Sequence, residues 1–214
     1  MPNTPAHPQA PFSDPAGTWN RRFAKDGYHF GTGPNEWLRQ HCSVWEPGSH
    51  VLSVADGEGR NSVWLAERGL RVDAFDIAEV GVAKARRLAA ERGVEVNFAV
   101  ADCDGYAWQP AVYDGVALIF VQFADPDLRA RLFDHTVRSL KPGGTLVLQG
   151  YTPRQLDFRT GGPPLASHLY TPELLRLAFA GLEIQVLQEY EAELAEGTGH
   201  CGHSALIGMV ARRP

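Results

Sequence analysis

Short apolar runs alternate along the chain with longer stretches in which apolar residues return at helical spacing. The run at 51–55 precedes a helical stretch at 60–68. The run at 71–75 precedes another at 79–92, where Val82, Ala85 and Ala89 share one side. Further strands are expected at 95–100 and 113–120, the latter apolar enough for the centre of a parallel sheet. Pro126 opens a helix to Leu140, because a proline's missing N–H is harmless in a first turn. A strand follows at 144–150, then a helix from Pro172 with Thr171 as its N-cap. Strands at 182–190 and 203–212 come last, with a glycine-rich loop over 195–202 between them. This alternation predicts an α/β fold, doubly wound around a mostly parallel seven-stranded sheet. Two final strands joined without a helix predict an antiparallel hairpin.

Before the first strand, helices are expected at 19–25 and 35–42. The loop between them holds Tyr28, His29, Phe30 and Pro34, and reads as a flap over a site. Prolines at 2, 5, 8, 11 and 15 cannot sustain helix or ladder hydrogen bonds, so residues 1–17 are expected to be a flexible lead-in to one domain over 18–214.

Composition narrows the function. A net charge of −5 and a pI near 5.9 give no basic footprint for nucleic acid. The pairs Arg86-Arg87 and Arg212-Arg213 are too short to supply one. Cys42, Cys103 and Cys201 are odd in number and widely spaced, which makes neither a disulfide framework nor a metal site and suits a reducing cytoplasm. No apolar run reaches the ~18 residues of a membrane span, and no secretory signal is read at the N-terminus. A monomer or homodimer is expected.

The chemistry concentrates after the first strand, at Asp56-Gly57-Glu58-Gly59-Arg60-Asn61. Strand, glycine turn and helix in that order build a cradle: the glycines admit a ligand close to the backbone, and the helix start presents N–H groups to it. Asp76 ends the second strand, where doubly wound folds grip ribose hydroxyls, and Asp102 follows the third, within reach of a base.

On these residues the chain resembles the class I S-adenosylmethionine-dependent methyltransferases, from about Trp19 to Arg213. Lys141-Pro142-Gly143-Gly144 is similar to the family's turn into its fifth strand. Two positions depart from the family's first motif. Ser53 stands where an acid is usual, and Ala55 replaces the first glycine. Within the family, Gly57 to Ser62 followed by Val63-Trp64-Leu65-Ala66 looks most like the tellurite-resistance branch. That branch carries a histidine and an arginine before its last strand; His200 matches the first, and Cys201 stands in place of the second.

The resemblance implies S-adenosylmethionine as methyl donor, held by Tyr28, Ala55, Asp56, Gly57, Gly59, Arg60, Asp76, Ile77, Asp102, Cys103 and Phe120. It implies a small-molecule acceptor, a thiol, chalcogen oxyanion or xenobiotic, met by Phe30, Gln122, Tyr151, His168 and His203, with His200 facing the methyl group. Methyl transfer needs no hydrolytic triad, and no Gly-x-Ser-x-Gly elbow is present. The end of the fourth strand, Ile119-Phe120-Val121-Gln122-Phe123, lacks the acid-or-asparagine, proline, proline, aromatic pattern of adenine and glutamine methyltransferases. Glu189, Glu191 and Glu193 alternate and read as a solvated strand face. Two other classes remain open. One is a nicotinamide-dependent oxidoreductase, opposed by Ser62 at the third glycine position; the other is a non-catalytic sensor of the methyl donor.

Overall fold

The computed structural model describes residues 14–214. Seven strands form one sheet in the order β3-β2-β1-β4-β5-β7-β6. β1 is His50–Val54, β2 Arg71–Asp76, β3 Asn97–Val100, β4 Tyr113–Ile119, β5 Leu140–Tyr151, β6 Glu183–Glu196 and β7 His200–Arg212. The first five pair in parallel, and β7 runs antiparallel to both β5 and β6. Three residues link β6 to β7, too few for a crossover, so that pair has to be a hairpin.

Every residue of β1 is buried, as a central parallel strand requires. Burial of Val51, Leu52 and Val54 stabilises the fold by roughly 1.5–3 kcal/mol each. Two apolar clusters cover the two sheet faces. Leu52, Val116, Leu118, Leu146 and Leu148 belong to the larger; Val51, Ala117, Val147 and Val210 belong to the other. Alternate residues of the same strands feed opposite clusters, which is the period-two geometry of a sheet buried on both sides. The strand order reverses between β1 and β4, and ligands of doubly wound folds sit in the crevice at the carboxyl ends of such strands.

The helices are α1 (Pro15–Phe23), α2 (Glu36–His41), α3 (Arg60–Glu67), α4 (Glu79–Arg92), α5 (Pro126–Ser139), α6 (Gln155–Phe158) and α7 (Pro172–Ala178). Prolines open α1, α5 and α7, and Asp14, Asp125 and Thr171 cap them by accepting a backbone N–H.

Several boundaries differ from the sequence reading, three of them for a reason the structure shows. Residues 1–13 of the expected lead-in lie outside the described residues, and Pro15 to Gly17 already belong to α1, nucleated by the Asp14 cap. β5 starts at Leu140, because Tyr113 pairs with that residue. The hairpin is longer than expected. From Val186 the register runs unbroken to Glu196↔His200, so His200 sits on β7 instead of in the loop.

Candidate methyl-donor and acceptor site

A cavity of about 310 Å³ opens at the carboxyl ends of the parallel strands. Ala55, Asp56 and Gly57 after β1, Asp76 and Ile77 after β2, and Asp102 and Cys103 after β3 line one side. Trp19 and Phe23 of α1, Phe30, Phe120 and His200 line the other.

The turn after β1 is built from left-handed backbone. Ala55 has φ +50°, Gly57 +63° and Gly59 +92°. Ala55 therefore adopts the conformation a glycine would hold without strain, at a cost of about 1–2 kcal/mol. Gly57 is a close approach, since a Cβ there would lie 3.2 Å from the Phe23 ring. Gly59 has a different reason. A Cβ would lie 2.7 Å from the Cβ of Ala85, so this glycine lets α3 pack on α4 and does not line the cavity.

Two buried carboxylates face the cavity. Asp56 accepts from Ser53 Oγ at 2.7 Å, from Ser62 N at 3.2 Å and from Ser62 Oγ. Asp76 accepts from Gly57 N at 2.9 Å and Ala78 N at 2.8 Å. Burial pushes both carboxyls up to about 6 against these bonds. The donors are neutral, so the cradle carries negative charge that suits a cationic ligand. Cys103 is cavity wall: burial pushes its thiol up to about 12, opposite to the lowering that activates a nucleophile.

The cover is fastened at several points. Trp19 and Phe23 stack at 5.4 Å, and Asn20 Oδ1 accepts Val80 N. Buried Glu58 accepts His29 N at 2.6 Å and pairs with Lys84 at 2.8 Å. His29 O accepts from Thr198 N and Gly199 N, which joins the flap to the hairpin tip. Glu196 is the central fastening. It takes Arg60 Nη2 at 2.7 Å, and Asn35 Nδ2 and Glu36 N at 2.9 and 3.2 Å. Burial pushes this carboxyl up, but His200 and the Arg60 guanidinium outweigh it and hold it at about 2. His200 Nδ1 lies 3.6 Å from Glu196 Oε2. The His200 ring sits 4.1 Å from Phe120 and 4.5 Å from Phe30, and burial keeps the imidazole below its ordinary range.

Of the expected site residues, Phe30, Ala55, Asp56, Gly57, Arg60, Asp76, Ile77, Asp102, Cys103, Phe120 and His200 line this cavity. Others lie elsewhere. Tyr28 packs against Val63, Leu88 and Ala89, with Lys84 Nζ 5.7 Å from its ring centre. Gln122 is buried and spends its amide on Tyr151 N and O and on His168 O, tying β5 to the turn at Ala166–His168. His168 Nδ1 bonds Gln122 O at 2.9 Å in the same clamp. His203 bonds Glu191 and packs on Phe158 at the surface. Tyr151 lies just behind Phe120 and His200, at 4.7 and 5.8 Å between ring centres. Sequence reasoning missed Glu196, Glu58 and the cavity roles of Trp19 and Phe23.

Residues 51–144 match the family described as a methyltransferase domain. That domain has S-adenosylmethionine as its methyl donor, and the two cavity carboxylates and the close approach at Gly57 fit it. A demethylmenaquinone methyltransferase of Thermus thermophilus is 35% identical over 107 residues, 48% of this chain and 47% of its own. A ubiquinone biosynthesis O-methyltransferase of Idiomarina loihiensis is 34% identical over 100 residues, 46% of this chain and 41% of its own. The chain spans about half the length of the curated relatives it matches. Among solved structures, a SAM-dependent methyltransferase of Methanosarcina mazei has TM-score 0.69 at 18% identity, covering 85% of this chain and 98% of its own. TehB from Haemophilus influenzae has TM-score 0.67 at 18% identity, covering 83% and 61%. These two structures share the fold. Since several structures reach comparable scores, TehB does not single out the tellurite-resistance branch.

Proposed function

We propose that this chain is an S-adenosylmethionine-dependent methyltransferase acting on a small-molecule acceptor. The observation that carries the reading is the cavity itself, bounded by the cradle at 55–57, by Asp76 and by Asp102-Cys103, and closed opposite by Phe30, Phe120 and His200. Asp76 is assigned the ribose hydroxyls, the Asp102-Cys103 turn the adenine, and the cradle with Asp56 the cationic methionine part. When bound, S-adenosylmethionine supplies an already activated methyl group on a sulfonium. The protein's share is then alignment and exclusion of water, which can lower the barrier by about 7–11 kcal/mol. Phe30 and Phe120 supply apolar walls for that purpose, and His200 meets the acceptor.

The favoured acceptor is a thiol or a hydroxyl-bearing small molecule. A chalcogen oxyanion is less suited, because nearby guanidinium charge is already engaged: Arg60 pairs with Glu196, and Arg154 with Glu191. The relative named a ubiquinone biosynthesis O-methyltransferase supports including oxygen acceptors. Residues 18–214 are taken as one catalytic domain, cytoplasmic, and a monomer or homodimer; free Cys42, Cys103 and Cys201 support the compartment.

Titration calorimetry with S-adenosylmethionine, S-adenosylhomocysteine and NAD tests the reading. Micromolar binding of the first two, with none of NAD, is expected. Binding of NAD alone overturns it. Turnover on thiol and phenol acceptors then separates an enzyme from a sensor.

A further inference from the structure

Tyr151 ends β5 and is 1% exposed, yet its hydroxyl has no hydrogen-bond partner among the described residues. An orphaned buried hydroxyl costs about 1–3 kcal/mol, so its presence calls for a reason. Tyr170 carries a second orphan, but it packs with Phe133 inside the main core, away from the cavity. Tyr151 is placed differently. Its ring packs on Phe120 and on His200, two residues that line the cavity wall. His200 Nδ1 is buried as well and lies 3.6 Å from Glu196 Oε2. Phe120, between them, holds the left-handed conformation at φ +55°, costly for an aromatic residue. An orphaned hydroxyl, a cavity-lining imidazole and one strained residue therefore meet at a single place beside the cavity.

What covers the Tyr151 hydroxyl is a turn of glycines. A Cβ on Gly161 would lie 2.8 Å from that oxygen, and one on Gly162 would lie 2.8 Å from the ring. Arg159, Gly161 and Gly162 all have positive φ. The turn is pinned through Thr160, whose hydroxyl donates to His203 O at 2.6 Å, and through Gln155, whose amide donates to Gly161 O at 3.2 Å.

We propose that Tyr151 and His200 are the paired polar groups of an acceptor subsite under the 159–162 turn, and that this subsite takes a neutral aromatic hydroxyl or thiol. The inference rests on the methyltransferase reading above. The aromatic class follows from the Phe120 and Tyr151 faces. Neutrality follows from the charges at hand, since Arg60 and Glu196 already neutralise one another. The acceptor's X–H proton passes to the His200 imidazole, an X–CH3 bond forms as the sulfonium's S–CH3 bond breaks, and S-adenosylhomocysteine leaves. Tyr151 donates to the lone pair that is not attacking and so holds the developing anion.

The test uses Tyr151→Phe, which removes one oxygen and no packing. Catechol, phenol and thiophenol are titrated into the full chain saturated with S-adenosylhomocysteine. At least one is expected to bind the wild type, and Tyr151→Phe is expected to weaken it tenfold or more with S-adenosylhomocysteine affinity unchanged. The variant should also melt higher, because the orphan is gone. Equal probe affinity in the variant overturns the inference, as does failure of all three to bind a wild type that does bind S-adenosylhomocysteine. Failure of S-adenosylhomocysteine itself to bind would instead sink the underlying methyltransferase reading.

Discussion

Ser53 Oγ donates to the Asp56 carboxylate across 2.7 Å, which joins the serine in the central strand to the acid three residues on. The carboxylate of the turn is thus held by Ser53 from the strand and by Ser62 from the other side. A second carboxylate, Asp76, faces the same cavity. Two carboxylates bonded to neutral donors suit a cationic ligand.

This charge has a pH signature. Both carboxyls stand at about 6 in the folded chain against 3.8 when unperturbed. A raised folded value stabilises the free protein fully below about pH 3.8, and that contribution is lost as pH rises through about 6. A cationic ligand reverses the preference by binding the ionised pair. Affinity for S-adenosylmethionine should therefore strengthen from about pH 5 to 7 and level off above. Calorimetry across that range checks it; a flat profile means that neither carboxylate meets the cation.

Asp76→Ala should weaken S-adenosylmethionine at least tenfold. A charge-assisted hydrogen bond is worth about 1.5–3 kcal/mol, and each factor of ten is about 1.4 kcal/mol. The variant also frees Gly57 N and Ala78 N, so a melting curve has to accompany the titration. An unchanged dissociation constant in a folded variant removes the ribose assignment.

Glu196→Ala should destabilise the fold by about 3–5 kcal/mol, because it strands the Arg60 guanidinium in a buried site. Its carboxyl is held at about 2, below the ordinary 4.5. The wild-type contribution is therefore complete above about pH 4.5 and fades as pH falls toward 2. Chemical denaturation at neutral and acid pH checks both: the gap between wild type and variant should narrow in acid.

Glu196 also marks where the sequence stops being legible. β1 and β4 could be read because buried parallel strands are largely apolar, and the turn at 55–59 because glycine has few other reasons to recur there. Glu196 reads as the continuation of Glu189, Glu191 and Glu193, all exposed. Parity separates it from them. It shares the even face with Tyr190, Ala192 and Leu194, which turns inward, but that shows only once the strand is known to run past 190. Its partner lies 136 positions away, and no local pattern encodes such a pairing. Gln122 and His168 looked like acceptor contacts for the converse reason. Polar residues near a site draw attention in a sequence, while the clamp that uses them is a tertiary fact.

The glycine turn gives two opposite expectations. Gly57→Val should abolish S-adenosylmethionine binding, since its side chain would strike Phe23 from a left-handed backbone. Ala55→Gly should leave binding intact and cost no stability, because relief of the strain at φ +50° offsets the added freedom of the unfolded chain. A single thermal-shift series with and without ligand checks the pair. Normal binding by Gly57→Val would move the cradle elsewhere.

His200→Ala tests the acceptor side alone. Burial lowers the pKa of the imidazole, Glu196, Arg60 and His29 flank it, and it lies against Phe30 and Phe120 at the cavity wall. A neutral imidazole can take a proton, and it does not repel a sulfonium as an imidazolium would. Loss of a general base costs roughly 10²–10⁴-fold in rate. With a hydroxyl or thiol acceptor, turnover should fall within that range while S-adenosylmethionine affinity stays within a factor of a few, the pattern of an interaction used after the donor has bound. Acceptors already ionised at the assay pH need no base, so their turnover should fall less. Equal losses for neutral and ionised acceptors would assign His200 to packing of the cavity wall and leave proton removal to water.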